Sequence, residues 1–334
     1  MPDFRHRLEE FLTQRKQGTA IQQLTPDAST REYFRIGWDG RSAIACVYPE
    51  GFTATEQSYL DVTKLLSDAD LPVARILDFD EPLGVIVQED LGDRILRDVI
   101  VESDDETRER LILDAISLIP KIQAATSRAV ETNSIASRLR FDSEKLLWEL
   151  DFFKTHYFTT YKNEPLSPAD DAALVADFVD LGQELESRAA VLCHRDFHAA
   201  NLMIDPGNRL RIIDHQDARI GSVAYDLVSL LLDRVTVSPS PDWLATKRAF
   251  FLAGRTEAGL PPIDDDLFAE EFRLQTIQRC LKAIGTFSFQ SVNRGKTYFV
   301  PFISPMFDIV RRATTALGRY PAIQRIVSNE IENG

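Results

Sequence analysis

The chain has 334 residues, enough at ~100–200 residues per domain for one large or two modest domains. Its 38 Lys and Arg against 52 Asp and Glu leave a net charge of −14, which repels nucleic acid and anionic lipid and argues against both as partners. The three cysteines, Cys46, Cys193 and Cys280, are far apart and form no C-x-x-C pair, so neither a disulfide scaffold nor a thiolate metal site is indicated. No apolar run approaches the ~18 residues of a membrane span. The start, Met1 to Gln17, is polar and charged and does not read as a secretory signal, so the cytoplasm is the expected location.

Up to residue 91, short β-type runs dominate: Tyr33 to Trp38, Ser42 to Tyr48, Val73 to Asp78 and Val85 to Glu89. The turn residues Gly37, Asp39 and Gly40 separate the first two. A helical stretch from about Thr53 to Asp70 interrupts them, with Leu60, Leu65 and Leu66 as its apolar positions. Beyond residue 91 the pattern is mostly helical. Leu146, Leu150, Phe153 and Tyr157 recur at helical spacing, as do Leu174, Phe178, Leu181 and Leu185 on a helix opened by Ser167 as N-cap and Pro168 at N1. Further helices are predicted around 107–128, 224–234, 241–259, 266–292 and 303–318. The pattern predicts an α+β protein with a β-rich lobe, residues 1–91, and a larger helical lobe, residues 92–334.

One segment of the helical lobe departs from this pattern. Val191 to Asn201 contains His194-Arg195-Asp196 followed by four residues and Asn201, the string that builds the catalytic loop of phosphoryl-transfer enzymes. Asn201 to Ile204 reads as a strand, Asp205-Pro206-Gly207-Asn208 as a turn and Leu210 to Asp214 as the returning strand. Such a hairpin brings Asn201 and Asp214 together at its open end. Their hard oxygens suit Mg²⁺ shared with phosphate oxygens, and Asp196 is placed to accept the proton of an attacking hydroxyl. Two other readings compete. His194 and His198 at i, i+4 would suit zinc on a helix, but a loop leading into a hairpin is not one. An Asp- and Asn-rich hairpin can also be purely structural.

These residues resemble the aminoglycoside phosphotransferase-like family, relatives of the protein kinases. Asp214-His215-Gln216 stands where protein kinases carry D-F-G, and Gly221 to Leu227 is similar to the helix start that follows, in which Asp226 anchors the catalytic loop. Asp27 to Arg35, Asp214 to Ala218 and Tyr225 to Leu231 look like the bacterial N-acetylmuramate/N-acetylglucosamine anomeric kinases of cell-wall recycling. The resemblance implies a bilobal protein-kinase-like fold, ATP and Mg²⁺ as cofactors, and a small-molecule sugar as substrate. Carried onto this chain, it implies a phosphate turn at Ala28-Ser29-Thr30 and a hinge at Gln88 to Gly92, where the backbone of Glu89 and Leu91 reads adenine. The third strand lacks the lysine that protein kinases use for the α- and β-phosphates, so Arg31 or Arg35 is expected to substitute. Glu56 or Asp61 is a candidate to hold that basic group. The acceptor is expected against the helices after residues 141 and 266, where Arg279, Lys282, Phe287, Phe289 and Arg294 offer cations and rings. An aminoglycoside or other amino alcohol remains an alternative acceptor, supported by the acidic run Asp264 to Asp266 with Glu270 and Glu271. A nucleotide-binding pseudokinase is a third reading. The sequence leaves the exact hydroxyl and the oligomeric state open.

Overall fold

The computed structural model of the protein describes residues 4–24 and 30–333. A five-stranded sheet is made of β1 (Ile21–Leu24), β2 (Glu32–Trp38), β3 (Arg41–Val47), β4 (Ile76–Asp80) and β5 (Val85–Glu89), in the order β1-β2-β3-β5-β4 with antiparallel neighbours. Alternation divides its faces. Phe34, Ile36, Ala43, Ala45, Val47, Val85 and Val87 point one way, onto Leu8, Phe11 and Leu12 of the helix Phe4–Gln14. Those three residues sit at i, i+3 and i+4 and are fully buried, which at ~1.5–3 kcal/mol per large apolar side chain anchors the helix. The opposite face carries Tyr33, Arg35, Ile44, Cys46, Ile86 and Gln88 and looks toward the rest of the molecule.

Two boundaries differ from the sequence reading. The strand expected at Val73 starts only at Ile76, because Val73 follows Pro72 and bridges in parallel to Ile212 of the large lobe. The helix expected over 53–70 is a 3₁₀ turn, Ala54–Glu56, followed by Ser58–Ser67, and the stretch 107–128 is broken into Asp105–Ile116, Leu118–Ala124 and Thr126–Glu131. Val62, Leu65 and Leu66 of Ser58–Ser67 are buried in the core of the large lobe rather than that of the sheet. Packing therefore ties this helix to the large lobe across the change of character expected at residue 91.

The large lobe is built on the long helix Asp265–Asn293, against which Ser143–Lys154, Tyr225–Leu232 and Ile303–Leu317 pack. At Gly285 of this helix a Cβ would stand 2.6 Å from the Phe153 Cα, so no larger residue fits without displacing backbone. Ser167 caps Pro168–Ser187 by accepting the Asp170 amide, with Pro168 in the first turn as the sequence predicts. Among the described residues no helix is long and apolar enough to cross a membrane, and all three cysteines are buried and unbridged.

Candidate active site

Two short antiparallel strand pairs frame the site. β6 (Val191–Cys193) pairs with β9 (Arg219–Gly221), and β7 (Leu202–Ile204) pairs with β8 (Leu210–Ile212) in the register Leu202↔Ile212. Asp205 fixes the β7–β8 turn, its Oδ1 accepting the Gly207 and Arg209 amides at 2.8 and 3.0 Å. At the open end the Ile213 amide donates to the Asn201 carbonyl, and the Asn201 Nδ2 lies 3.4 Å from Asp214 Oδ2 and 3.0 Å from the Asp196 carbonyl. Asp214 adopts a left-handed φ of 61°, held by this hairpin and by Gln216, which donates to its Oδ1 at 2.8 Å. The three residues singled out by their spacing do converge.

The loop from His194 to Asn201 hangs from a buried carboxylate. Asp226, at the start of Tyr225–Leu232, accepts the amides of His194 and Arg195 at 2.7 and 3.1 Å. Burial pushes its pKa up to about 6, against the opposing pull of His194 and the two amides. These bonds hold Arg195 at a φ of 85°, a left-handed conformation costly for a residue with a Cβ. The His194 ring meets the Ile213 carbonyl at 2.9 Å and so ties loop to hairpin. Among the described residues no group of three or more His, Cys, Asp or Glu is placed to hold a metal ion.

Asp196 sits among cations. Arg279 Nη2 and Lys282 Nζ lie 3.2 and 3.6 Å from its Oδ1, and Arg195 Nε lies 3.7 Å from its Oδ2. Burial alone would raise the Asp196 pKa, but Lys282, Arg279 and Arg195 outweigh it and hold the carboxyl well below the usual carboxylate range. Arg279 is positioned by the Ser229 hydroxyl at 2.8 Å, and behind it the buried Glu149 accepts from Gln278 at 2.8 Å. Of the other residues expected around the acceptor, Phe287 is core, stacked on Phe299, and Arg294 is exposed at the end of the long helix. The acidic run does not line the site: Asp264 caps the long helix and Glu270 pairs with Arg188.

On the sheet side, Ser29 lies outside the described residues, and Thr30 is an exposed residue at the entry to β2. Arg31 lies against the rings of Tyr33 and Tyr48, donates to the Tyr48 hydroxyl at 3.4 Å, and faces Cys46 of β3, the strand that lacks a lysine. Arg35 shares its face but is engaged elsewhere. Its guanidinium pairs with Asp90 and Asp93 at 2.7 Å each, so it braces the hinge and is not directed at a phosphate. Glu89 uses its amide on the Arg75 carbonyl, leaving only its own carbonyl to face a base; the Leu91 amide meets no protein acceptor among the described residues. Asp61 does not hold a basic group of the small lobe: it accepts from Ser134 Oγ and the Ile135 amide of the large lobe, and Glu56 is exposed. The same helix presents Thr63 to His215 Nε2 at 2.7 Å, with Tyr59 stacked on that ring at 5.0 Å. Burial drives the His215 pKa down to about 3, so the ring is neutral.

Sequence reasoning missed Arg211. This β8 side chain is 7% exposed and donates twice to Glu89, at 3.2 and 2.8 Å, to Asp205 at 3.2 Å, and to the Pro72 and Val73 carbonyls at 3.3 and 2.8 Å. It bolts the hinge to the hairpin that carries Asn201 and Asp214. A lone charge inside the apolar run Leu210 to Ile213 was the available signal. A cavity of about 1030 Å³ borders Ala199 on the other side of the loop, walled by Leu96, Ile100, Leu230 and Trp243, and none of Asp196, Asn201 or Asp214 lines it.

A small antiparallel sheet hinged to a helical lobe, with an Asp–Asn–Asp set at their junction, is the architecture of protein-kinase-like phosphotransferases. The chain belongs to the phosphotransferase enzyme family, whose model matches residues 20–262. It is 29% identical over 290 residues to the N-acetylmuramate/N-acetylglucosamine kinase of Neisseria meningitidis serogroup B, covering 86% of this chain and 84% of that one. To the protein of the same name from Pseudomonas aeruginosa it is 28% identical over 302 residues, 90% and 84% of the two chains. Among solved structures it is similar to a microcompartment-associated aminopropanol kinase (TM-score 0.62, 16% identity, 93% of this chain and 97% of that one). It is also similar to an ADP-bound aminoglycoside phosphotransferase (TM-score 0.55, 13% identity, 92% and 98%). At these identities the structural likeness shows the fold.

Proposed function

We propose that the protein transfers the γ-phosphoryl group of ATP to the anomeric hydroxyl of N-acetylmuramate or N-acetylglucosamine, in the cytoplasm, as a step of cell-wall recycling. The observation that carries the choice of acceptor is the set of cations around Asp196: Arg279, Lys282 and Arg195 at 3.2, 3.6 and 3.7 Å. These cations outnumber the carboxylates they meet, Asp196 and the Asp217 that pairs with Arg195 at 2.9 Å, so the cluster keeps an excess positive charge. A polycationic aminoglycoside or a choline-like amine would meet repulsion here. A neutral amino sugar is tolerated, and the lactyl carboxylate of N-acetylmuramate is attracted. The names of the relatives agree with this reading.

Adenine lies along the hinge, with the Glu89 carbonyl and the Leu91 amide toward its edge. Thr30, Ser29 and Arg31 meet the phosphates, Arg31 supplying the charge that β3 lacks; Arg35 supports this site from the hinge. Asp214 and Asn201 fit Mg²⁺, which would neutralise phosphate charge when bound: the Asn201 Nδ2 is spent on Asp214 and on the Asp196 carbonyl, so its amide oxygen is left to serve beside the Asp214 carboxylate. Asp196 orients the hydroxyl in line and takes its proton late. A carboxylate of such depressed basicity abstracts little before bond making is advanced, as suits a loose phosphoryl-transfer transition state.

Product chemistry tests the reading. A phosphate on the anomeric oxygen abolishes reducing-end reactivity and is released by mild acid. A phosphorylated product that remains a reducing sugar, or preferential turnover of kanamycin-type amines, contradicts it.

A further inference from the structure

The cations at Asp196 are the inner end of a longer feature. Lys145, on Ser143–Lys154, lies within electrostatic reach of Arg195 and Asp217 of the catalytic region, and its Nζ stands 4.0 Å above the Trp148 ring. Trp148 is 59% exposed, an unusual position for the largest apolar side chain. From it the rings continue outward: Trp148 to Phe152 at 5.7 Å, Phe152 to His156 at 4.1 Å and Phe152 to Phe289 at 5.7 Å, with none of the last three fully buried. Lys145, Trp148, Phe152 and His156 follow at i, i+3, i+7 and i+11, which is one helix face. Lys282 and Phe289 share a face of Asp265–Asn293 two turns apart.

The two helices run in the same direction. Glu149 meets Gln278, Phe153 meets Gly285 and His156 meets Phe289, each later residue of one against a later residue of the other. Both faces therefore lead away from Asp196 together. At 1.5 Å per residue, Lys282 to Phe289 spans ~10 Å, room for roughly two pyranose rings beyond the reacting one. Core packing does not account for an exposed tryptophan at the head of a row of partly exposed rings, under a lysine within electrostatic reach of Arg195 and Asp217.

We propose that this aromatic strip is a second sugar subsite, holding the non-reducing ring of a β-1,4-linked disaccharide of N-acetylated amino sugars whose reducing end lies at Asp196. The inference rests on the anomeric-kinase reading. In a pyranose C1 and C4 lie on opposite sides of the ring, so an acceptor with its anomeric hydroxyl at Asp196 extends away from the catalytic loop through C4. The apolar C–H face of the next ring then falls on a flat aromatic surface, with Trp148 as the platform and Lys145 holding it. No new bond chemistry is involved: the anomeric oxygen takes the phosphoryl group as before and its proton passes to Asp196.

The test is calorimetric binding of N-acetylglucosamine and N,N′-diacetylchitobiose, in the presence of a non-hydrolysable ATP analogue, followed by turnover of both. The disaccharide is expected to bind several-fold more tightly than the monosaccharide. Trp148→Ala should weaken disaccharide binding several-fold more than monosaccharide binding, and Trp148→Phe should restore most of the difference. Equal affinities of the wild type for the two sugars, or equal weakening of both by Trp148→Ala, would overturn the subsite. Tighter binding of an N-acetylmuramyl peptide without any gain from the second sugar would overturn the assignment of a sugar to the strip. Disaccharide preference in binding, with neither sugar phosphorylated at its reducing end, would uphold the subsite and instead contradict the proposed reaction.

Discussion

Replacing Arg211 by methionine keeps the aliphatic stem and removes the guanidinium that joins hinge to hairpin. Five hydrogen bonds are lost, the shortest being to Glu89 and the Val73 carbonyl at 2.8 Å each. Asp205, 3% exposed, and the partly buried Glu89 are left short of a counter-charge. Removing one partner of a buried ion pair costs ~3–5 kcal/mol, because the stranded carboxylates stay desolvated. The lower end applies here, since Glu89 keeps Arg75 at 3.6 Å and Asp205 keeps Arg209 at 2.9 Å. For a chain of this size, at ~2 °C per kcal/mol, a loss of about 3 kcal/mol is a fall in Tm of roughly 6 °C. The strand proposed to face adenine also loses its fixed distance from Asn201 and Asp214, so KM for ATP rises while KM for the sugar changes little. Thermal denaturation and initial rates at varied ATP measure both effects. A double-mutant cycle with Glu89→Gln should give a coupling of ~1 kcal/mol or more. A Tm within 1 °C of wild type together with an unchanged ATP KM would refute the reasoning.

Other outcomes follow from the same geometry. Asp196→Asn should lower kcat by ~10²-fold or more with ATP affinity nearly unchanged, and Asp214→Ala should abolish turnover while Asn201→Ala raises the Mg²⁺ concentration needed; full activity in excess chelator would contradict the metal assignment. Arg31→Ala should raise KM for ATP more than Arg35→Ala does, read from initial rates; equal or reversed effects would return the phosphate role to Arg35. Asp226 has a folded pKa of about 6 against an ordinary 3.8, so the folded state binds the proton more tightly. Its contribution to stability is full below pH ~4 and is lost as pH rises through ~6, by on the order of 3 kcal/mol. Urea unfolding of wild type and Asp226→Asn from pH 4 to 7 should show the variant gaining on wild type as pH rises, and a constant gap would show that Asp226 titrates normally.

What was legible in the sequence follows how local the physics is. The hairpin at 201–214 was readable because turn chemistry at Asp205 to Asn208 and the spacing of two polar ends determine its geometry within a few residues. Ser167, Pro168 and the apolar stripes of the long helices are equally local signals. The break of 107–128 into three helices was not, since propensity varies little there and packing decides. The helix Phe4–Gln14 escaped notice although Leu8, Phe11 and Leu12 carry its period, because a charged N-terminus drew the reading toward targeting signals. Arg31 and Arg35 share a strand face, as alternation requires, yet only the fold brings Asp90 and Asp93 to the second and Cys46 to the first. Asp61 was misassigned for the same reason. Its partners Ser134 and Ile135 lie more than seventy residues away and belong to the other lobe. Arg279 and Lys282 are expected near the acceptor only through the resemblance, and their convergence on Asp196 is a tertiary fact.

The central claim is that the acceptor oxygen is anomeric, and phosphorus NMR of the product tests it most directly. Incubation with ATP, Mg²⁺ and N-acetylmuramate should yield a sugar phosphate whose phosphorus is scalar-coupled to the anomeric proton, with the reducing end lost and inorganic phosphate released on mild acid treatment. Coupling to the C6 protons, or an intact reducing end in a phosphorylated product, would contradict the account.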